Sequence, residues 1–252
     1  MRHLSWTLVL IATFLAYAPA QDHAKDAVPR TPAVLSRTAP SAEKIWADLM
    51  DGNQRFVTGK VKVREFLHTR QKLVTGQHPK VVVLTCSDSR VPPELLFDKN
   101  LGDLFVVRSA GNVADAIGVG SVEYAVEHLG SSVLVILGHD KCGAVTAACS
   151  GEKMPSANLQ AIMDKLDPAV SQAKTYSSGD SVVSAAIEEN VHQSGKDVLA
   201  ASEGLRRALR EGKLTIFEAM YKLDSGEVVR LGKLTVIAPA YKLDVGDVVR
   251  TE

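Results

Sequence analysis

Two short segments hold the residues whose types and spacing could do chemistry. The first is Cys86-Ser-Asp88-Ser-Arg90, and the second is His139-Asp-Lys-Cys142-Gly143. Together they offer two thiols, one imidazole and the carboxylate of Asp88, a set that suits zinc, because soft thiolates and imidazole favour that ion in tetrahedral geometry. Cys-x-Asp in extended chain points both side chains the same way. His-x-x-Cys at the start of a helix lets both side chains face one point. Each residue also has an ordinary reading: a cysteine after a strand is usually a small buried residue, and Asp88 and Arg90 could be a simple ion pair. The pattern gains its specificity from the two segments occurring together. Cys149, seven residues beyond Cys142 in an Ala-rich run, reads as core or a free thiol.

The elements that must position these segments are legible around them. Val81–Thr85, Leu104–Val107 and Val133–Leu137 are short unbroken apolar runs, as expected of strands buried on both faces. Both chemical segments directly follow such a run. Ser41 reads as an N-cap ahead of a helix with Glu43 and Lys44 in its first turn. Val122, Ala125, Val126 and Leu129 share one helical face over 121–129, and Gly130 stops it. Residues 142–149 and 183–210 also read as helices. Strands alternating with helices predict an α/β fold with a central, mainly parallel sheet flanked by helices. Ligands in such sheets bind outside the carboxyl ends of the strands, where both segments lie. The C-terminus holds a repeat: residues 212–231 and 232–251 match at 12 of 20 positions. Each copy reads as strand, Asp-x-Gly turn and strand, giving two hairpin-like units at a sheet edge.

The chain has 252 residues, 46% apolar and 23% charged, the balance of a globular domain. Its 29 basic and 29 acidic residues cancel, which argues against a nucleic-acid binder, whose affinity rests on phosphate neutralisation. Arg2 and His3, the apolar run from Leu4 to Tyr17 and Ala18-Pro-Ala20 read as a secretory signal peptide cleaved after Ala20. Residues 21–40 read as a flexible linker and 41–252 as a single domain. A periplasmic or secreted protein with no stable membrane span after signal removal is the expectation. Three cysteines make no disulfide framework, and metal ligation would explain thiols kept unpaired in an oxidising compartment.

Four blocks in order resemble the signature blocks of the β-class carbonic anhydrases: Cys86-Ser-Asp-Ser-Arg-Val91, Gly102-Asp-Leu-Phe-Val-Val-Arg108, Ser121-Val-Glu-Tyr-Ala-Val126 and Gly138-His-Asp-Lys-Cys-Gly143. The resemblance runs from about Ser41 to about Val229. It implies a zinc lyase that interconverts carbon dioxide and bicarbonate by hydroxide on the metal, with Zn2+ held by Cys86, His139 and Cys142. Asp88 would pair with Arg90 or take the fourth position in a closed state. Two thiolate ligands imply activity that rises towards alkaline pH. Gln77, Phe105, Tyr124 and Gly143 match substrate-pocket positions. In the family some of these come from a partner subunit, so an obligate homodimer or higher homo-oligomer with an N-terminal helical arm is implied. Val83 stands where the bicarbonate-regulated subgroup has tryptophan, which points to the open, plant-like site. Ser109 departs from the usual asparagine. His68, His78, His128 and His192 are candidates for a proton shuttle. The competing readings are hydrolysis of carbon disulfide or carbonyl sulfide on the same metal, or a non-catalytic zinc protein with a closed four-ligand site. A Rossmann-type nucleotide binder is weak, because Gly118-Val-Gly120 lacks the required glycine spacing and acidic partner.

Overall fold

Residues 40–236 and 248–251 are described by the computed structural model of the chain. The expected signal peptide, and the linker except Pro40, lie outside the described residues. Three apolar runs become the parallel strands β1 (Val81–Cys86), β2 (Leu104–Ser109) and β3 (Val133–His139). A fourth, β4 (Thr215–Tyr221), runs parallel beside β3. β5 (Val228–Val236) and β6 (Val248–Thr251) turn back antiparallel, giving one six-stranded sheet of order β2-β1-β3-β4-β5-β6. Period-two alternation splits the strands between two apolar layers. Val82, Leu84, Cys86, Leu134, Ile136 and Ile216 face one layer. Val81, Val83, Val133, Val135, Leu137 and Phe217 face the other, so Val83 looks away from the side that holds Cys86.

The second layer is closed by α1 (Ala42–Val57). Ser41 caps it as expected, its Oγ accepting from the Lys44 N–H, and Ile45, Trp46 and Leu49 pack inward. The Trp46 ring lies 5.0 Å from that of Phe217. The first layer is closed by α4 (Ala116–Glu123), α5 (Gly143–Ser150), α6 (Ala157–Lys174), α7 (Ser181–Ala201) and α8 (Glu203–Arg210). Short helices α2 (Phe66–Lys72) and α3 (Pro93–Leu96) are the remaining α-helices among the described residues.

Several local expectations shift. The helix at 121–129 begins earlier, at Ala116, where the Asp115 carboxylate caps the Gly118 N–H at 2.6 Å. It ends in a π-turn over Tyr124–His128, before Gly130 leaves at φ 75°. The single helical run 183–210 is two helices, broken at Ser202, whose extended backbone and Oγ cap α8. The repeat is not two separate hairpins. Its first copy is the β4–β5 hairpin, but the start of the second copy continues β5, and its last residues form β6 on β5's outer side. The second Asp-x-Gly turn lies outside the described residues. No helix among the described residues is long and apolar enough to cross a membrane.

Candidate metal centre

β1 and β3 are adjacent and parallel, with Thr85 opposite Leu137, so their final residues Cys86 and His139 emerge side by side. A tight turn follows His139, with Lys141 at φ 51°, and delivers Cys142 as the N-cap residue of α5. The ligand atoms of Cys86, His139 and Cys142 all lie within 4.8 Å of one another, the one such group of three among the described residues. All three side chains are buried.

The ring of His139 is oriented by its own loop. Nδ1 lies 2.8 Å from the Asp140 carbonyl, so Nδ1–H donates there and Nε2 carries the lone pair. That Nε2 is buried without a hydrogen-bond partner. A buried unpaired nitrogen between two thiols is costly as it stands and suits a metal. Two sulfurs and one imidazole nitrogen supply three corners of a zinc tetrahedron.

The electrostatics favour a thiolate at Cys86 and the protonated forms of Cys142 and His139. The neighbouring Cys142 thiol outweighs burial and, with His139 and the Asp88 and Gly111 N–H groups, holds Cys86 well below the ordinary thiol value. The neighbouring Cys86 sulfur and burial push Cys142 up, against the pull of the Val145 and Ala144 N–H groups at the start of α5. Burial disfavours a charged His139, but the Cys86 sulfur outweighs it and raises the imidazole pKa.

Asp88 stands at the rim, its Oδ2 3.9 Å from His139 Nε2. Arg90 holds it through three bonds: its backbone N–H and Nε each donate to Oδ1 at 2.9 Å, and Nη2 donates to Oδ2 at 2.7 Å. The guanidinium keeps the carboxyl far below the usual carboxylate range. The loop itself is pinned by Arg108, which donates to the carbonyls of Cys86 (3.0 Å) and Asp88 (2.6 Å). Gly143 is exposed beside Cys142, with open space where a side chain would be. Ser109, the departure from the resemblance, closes its own turn by donating to the Val113 carbonyl at 2.7 Å.

The structure therefore brings together Cys86, His139, Cys142, Asp88, Arg90 and Gly143. It does not bring Gln77, Phe105 and Tyr124 to them within one chain. Phe105 is opposite Val82, four residues before the Ser109–Cys86 pair, roughly 13 Å down the strand. Tyr124 is near it, ring centroids 6.3 Å apart. Gln77 precedes β1, and nearby Pro79 is tied to Ser131, two residues before β3. All three lie at the opposite end of the sheet, with Phe105 on its open β2 edge. Of the shuttle candidates, His192 is bound to Glu218 at 2.9 Å, the His128 ring stands 5.4 Å from that of Tyr124, and His68 and His78 are exposed. Cys149 is half-buried against the α-helical layer and is not in the cluster. Two residues near the centre were not found from the sequence: Asn190 and Ser194, polar side chains on the buried face of α7. Their spacing of four among apolar residues was the available signal.

Comparison with known proteins gives one answer. The family model described as carbonic anhydrase matches residues 81–228. The chain is 37% identical over 188 residues to carbonic anhydrase 2 of Mycobacterium tuberculosis, covering 73% of this chain and 90% of that one. It is 33% identical over 190 residues to a carbonic anhydrase of Pseudomonas aeruginosa, covering 72% and 85%. Among solved structures, a β-carbonic anhydrase of Aspergillus fumigatus superposes with TM-score 0.59 and 29% identity, over 75% of this chain and 86% of that one. One of two tetrameric β-carbonic anhydrases from Sordaria macrospora superposes with TM-score 0.59 and 26% identity, over 66% and 87%.

Proposed function

The chain belongs to the β-class carbonic anhydrases, and from that premise we propose that Cys86, His139 and Cys142 hold one zinc ion at which carbon dioxide is reversibly hydrated to bicarbonate and a proton. The observation that carries this reading is the buried, unpartnered Nε2 of His139 between two thiols, with a carboxylate locked beside it. Zinc bound there supplies a Lewis acid that lowers the pKa of a water to a useful range. The chain's residues do the rest. Arg90 occupies both oxygens of Asp88 and keeps the carboxylate at the rim instead of in the ligand set. Asp88, ionised at working pH, accepts a hydrogen bond from the attacking oxygen and turns its lone pair towards carbon. The exposed backbone at Gly143 leaves the approach to Cys142 clear.

The wall of the substrate pocket comes, in this reading, from a second copy. β2 is an edge strand, and a two-fold axis perpendicular to it sets two sheets edge to edge with their β2 strands running in opposite directions. The partner subunit's Phe105, Tyr124 and Gln77 would then reach the carboxyl end of β1. Exposed Ile117 and half-exposed Tyr124 on the α4 side of that edge are the apolar surface such a dimer would cover. The oligomeric β-carbonic anhydrases of Sordaria macrospora agree with this in kind. The N-terminal 20 residues serve as an export signal, which mass spectrometry of the mature chain would test through a start at Gln21.

Stopped-flow carbon dioxide hydration by the purified protein, with zinc content measured, tests the function. Fast turnover that rises from pH 6.5 to 9 in zinc-loaded protein is expected. One zinc per chain with no hydration at any pH would overturn it in favour of a carbon disulfide or carbonyl sulfide hydrolase, or a structural site.

A further inference from the structure

α7 carries an oddity that the site described so far does not use. Its inward face is apolar at Ala186, Ile187, Val191, Val198 and Leu199, yet Asn190 and Ser194, one turn apart, are just as buried. A buried amide or hydroxyl is unfavourable unless its hydrogen bonds are made. Both side chains reach one place, the three-residue turn Ala110–Asn112 that follows β2. The Asn190 side chain donates to the Gly111 carbonyl at 2.7 Å. The Ser194 hydroxyl donates between the Asn190 carbonyl of its own helix, 2.8 Å away, and the Asn112 carbonyl, 3.0 Å away, and accepts from the Asn112 side chain at 3.2 Å.

That turn is in a conformation side chains avoid. Gly111 has φ 70° and Asn112 φ 47°, two consecutive residues in the left-handed region. A Cβ at Gly111 would also press on Leu166 and Ala144, at 3.2 and 3.3 Å. Glycine and asparagine are the residue types that tolerate this region, and α7 fixes their carbonyls from behind. Its product is a single contact: the Gly111 N–H points at the Cys86 sulfur, 3.3 Å away. The same helix face also supports the other strand end, because a Cβ at Gly138, the residue before His139, would meet Val191 at 2.4 Å.

We propose that Asn190, assisted by Ser194, is a positioning residue of the metal centre: it holds Gly111 so that its N–H donates to the Cys86 sulfur. A hydrogen bond to a thiolate withdraws charge from it and weakens its donation to the metal. Two thiolates make the ion electron-rich, and this donor offsets part of that, leaving a stronger Lewis acid near neutral pH. The inference rests on the zinc assignment above and deepens it.

The test uses the full chain loaded with cobalt(II), whose sulfur-to-cobalt charge-transfer band reports on the thiolates directly. In Asn190→Leu, which keeps the size and removes the donor without adding charge, the band should move to lower energy. Carbon dioxide hydration should reach half its maximum at higher pH, so activity at pH 7 falls by about tenfold and recovers in alkali. A folded, metal-loaded variant with the wild-type band and the wild-type midpoint overturns the inference. If Asn190→Leu does not fold, Ser194→Ala is judged by the same two criteria. A cobalt-loaded wild type without a charge-transfer band overturns the ligand assignment itself, and the inference with it.

Discussion

The last strand should anchor the fold through one arginine. Glu218 on β4 is fully buried, yet it carries two partners: His192 Nδ1 at 2.9 Å from Oε1 and Arg250 Nε at 2.6 Å from Oε2. Gly232 makes room for this reach, since a Cβ there would lie 2.4 Å from the Arg250 side chain. Arg250→Met keeps the apolar stem and removes the guanidinium. Removing one partner of a fully buried pair costs about 3–5 kcal/mol. Here the Arg250 side chain is 27% exposed and His192 remains, so about half of that, ~2 kcal/mol, is expected. The longer contact of Arg250 with exposed Glu188, 3.5 Å, adds little. For a domain of roughly 200 residues, each kcal/mol moves Tm by about 2–4 °C, so thermal unfolding should begin about 4–8 °C lower. The control is the double-mutant cycle. In a Glu218→Gln background the same change should cost under about 1 kcal/mol, because no buried charge is left alone. An equal loss in both backgrounds would refute the reasoning and assign the effect to packing of the β6 stem.

Three further outcomes follow from the geometry. Arg90→Ala removes two of the three bonds on Asp88, so the freed carboxylate should close the fourth metal position; zinc stays at one per chain while hydration falls by at least about tenfold, and activity within twofold of wild type would contradict this. Asp98 is buried, which alone would raise its pKa, but Arg55 and Arg64 outweigh burial and lower it. Its ion pairs therefore contribute stability above the unfolded carboxyl value of about 3.9, lost as pH falls through the lower folded value; in urea unfolding, the advantage of wild type over Asp98→Asn should be constant from pH 5 to 7 and shrink below about pH 4. Ile117→Asp puts a charge on the exposed edge beside β2, so sedimentation should show a smaller species and hydration should drop with it; a full-size, fully active variant would exclude that edge as the interface.

The metal centre was legible because its chemistry is local. Cys86 and His139 each end an apolar run, so the strands that place them are visible in the same few residues that carry the ligands. A parallel sheet then leaves one place for both. What was not legible depends on which end of a strand faces which. Phe105 and Cys86 are close in the pattern of a catalytic pocket, but the register of β1 with β2 puts Phe105 beside Val82, and that follows from pairing, not from composition. The break at Ser202 was hidden because the apolar period resumes on its far side with Leu205, and only the capping bond to Leu205 N–H reveals it. α6 was missed although Leu166, Ala169, Val170 and Ala173 keep helical spacing, since Pro168 interrupts the run that carries the signal. The repeat misled for a different reason. Its boundary at Gly232 looks like a turn, but that glycine sits inside β5 as clearance for the arginine of the second copy. Arg230 in the first copy stacks 4.5 Å over Phe217 and pairs with Glu43 on α1. Its counterpart Arg250 turns instead to Glu218. Duplication thus supplied two equal arginines that the sheet uses on two different partners, and sequence identity between the copies could not foretell that difference.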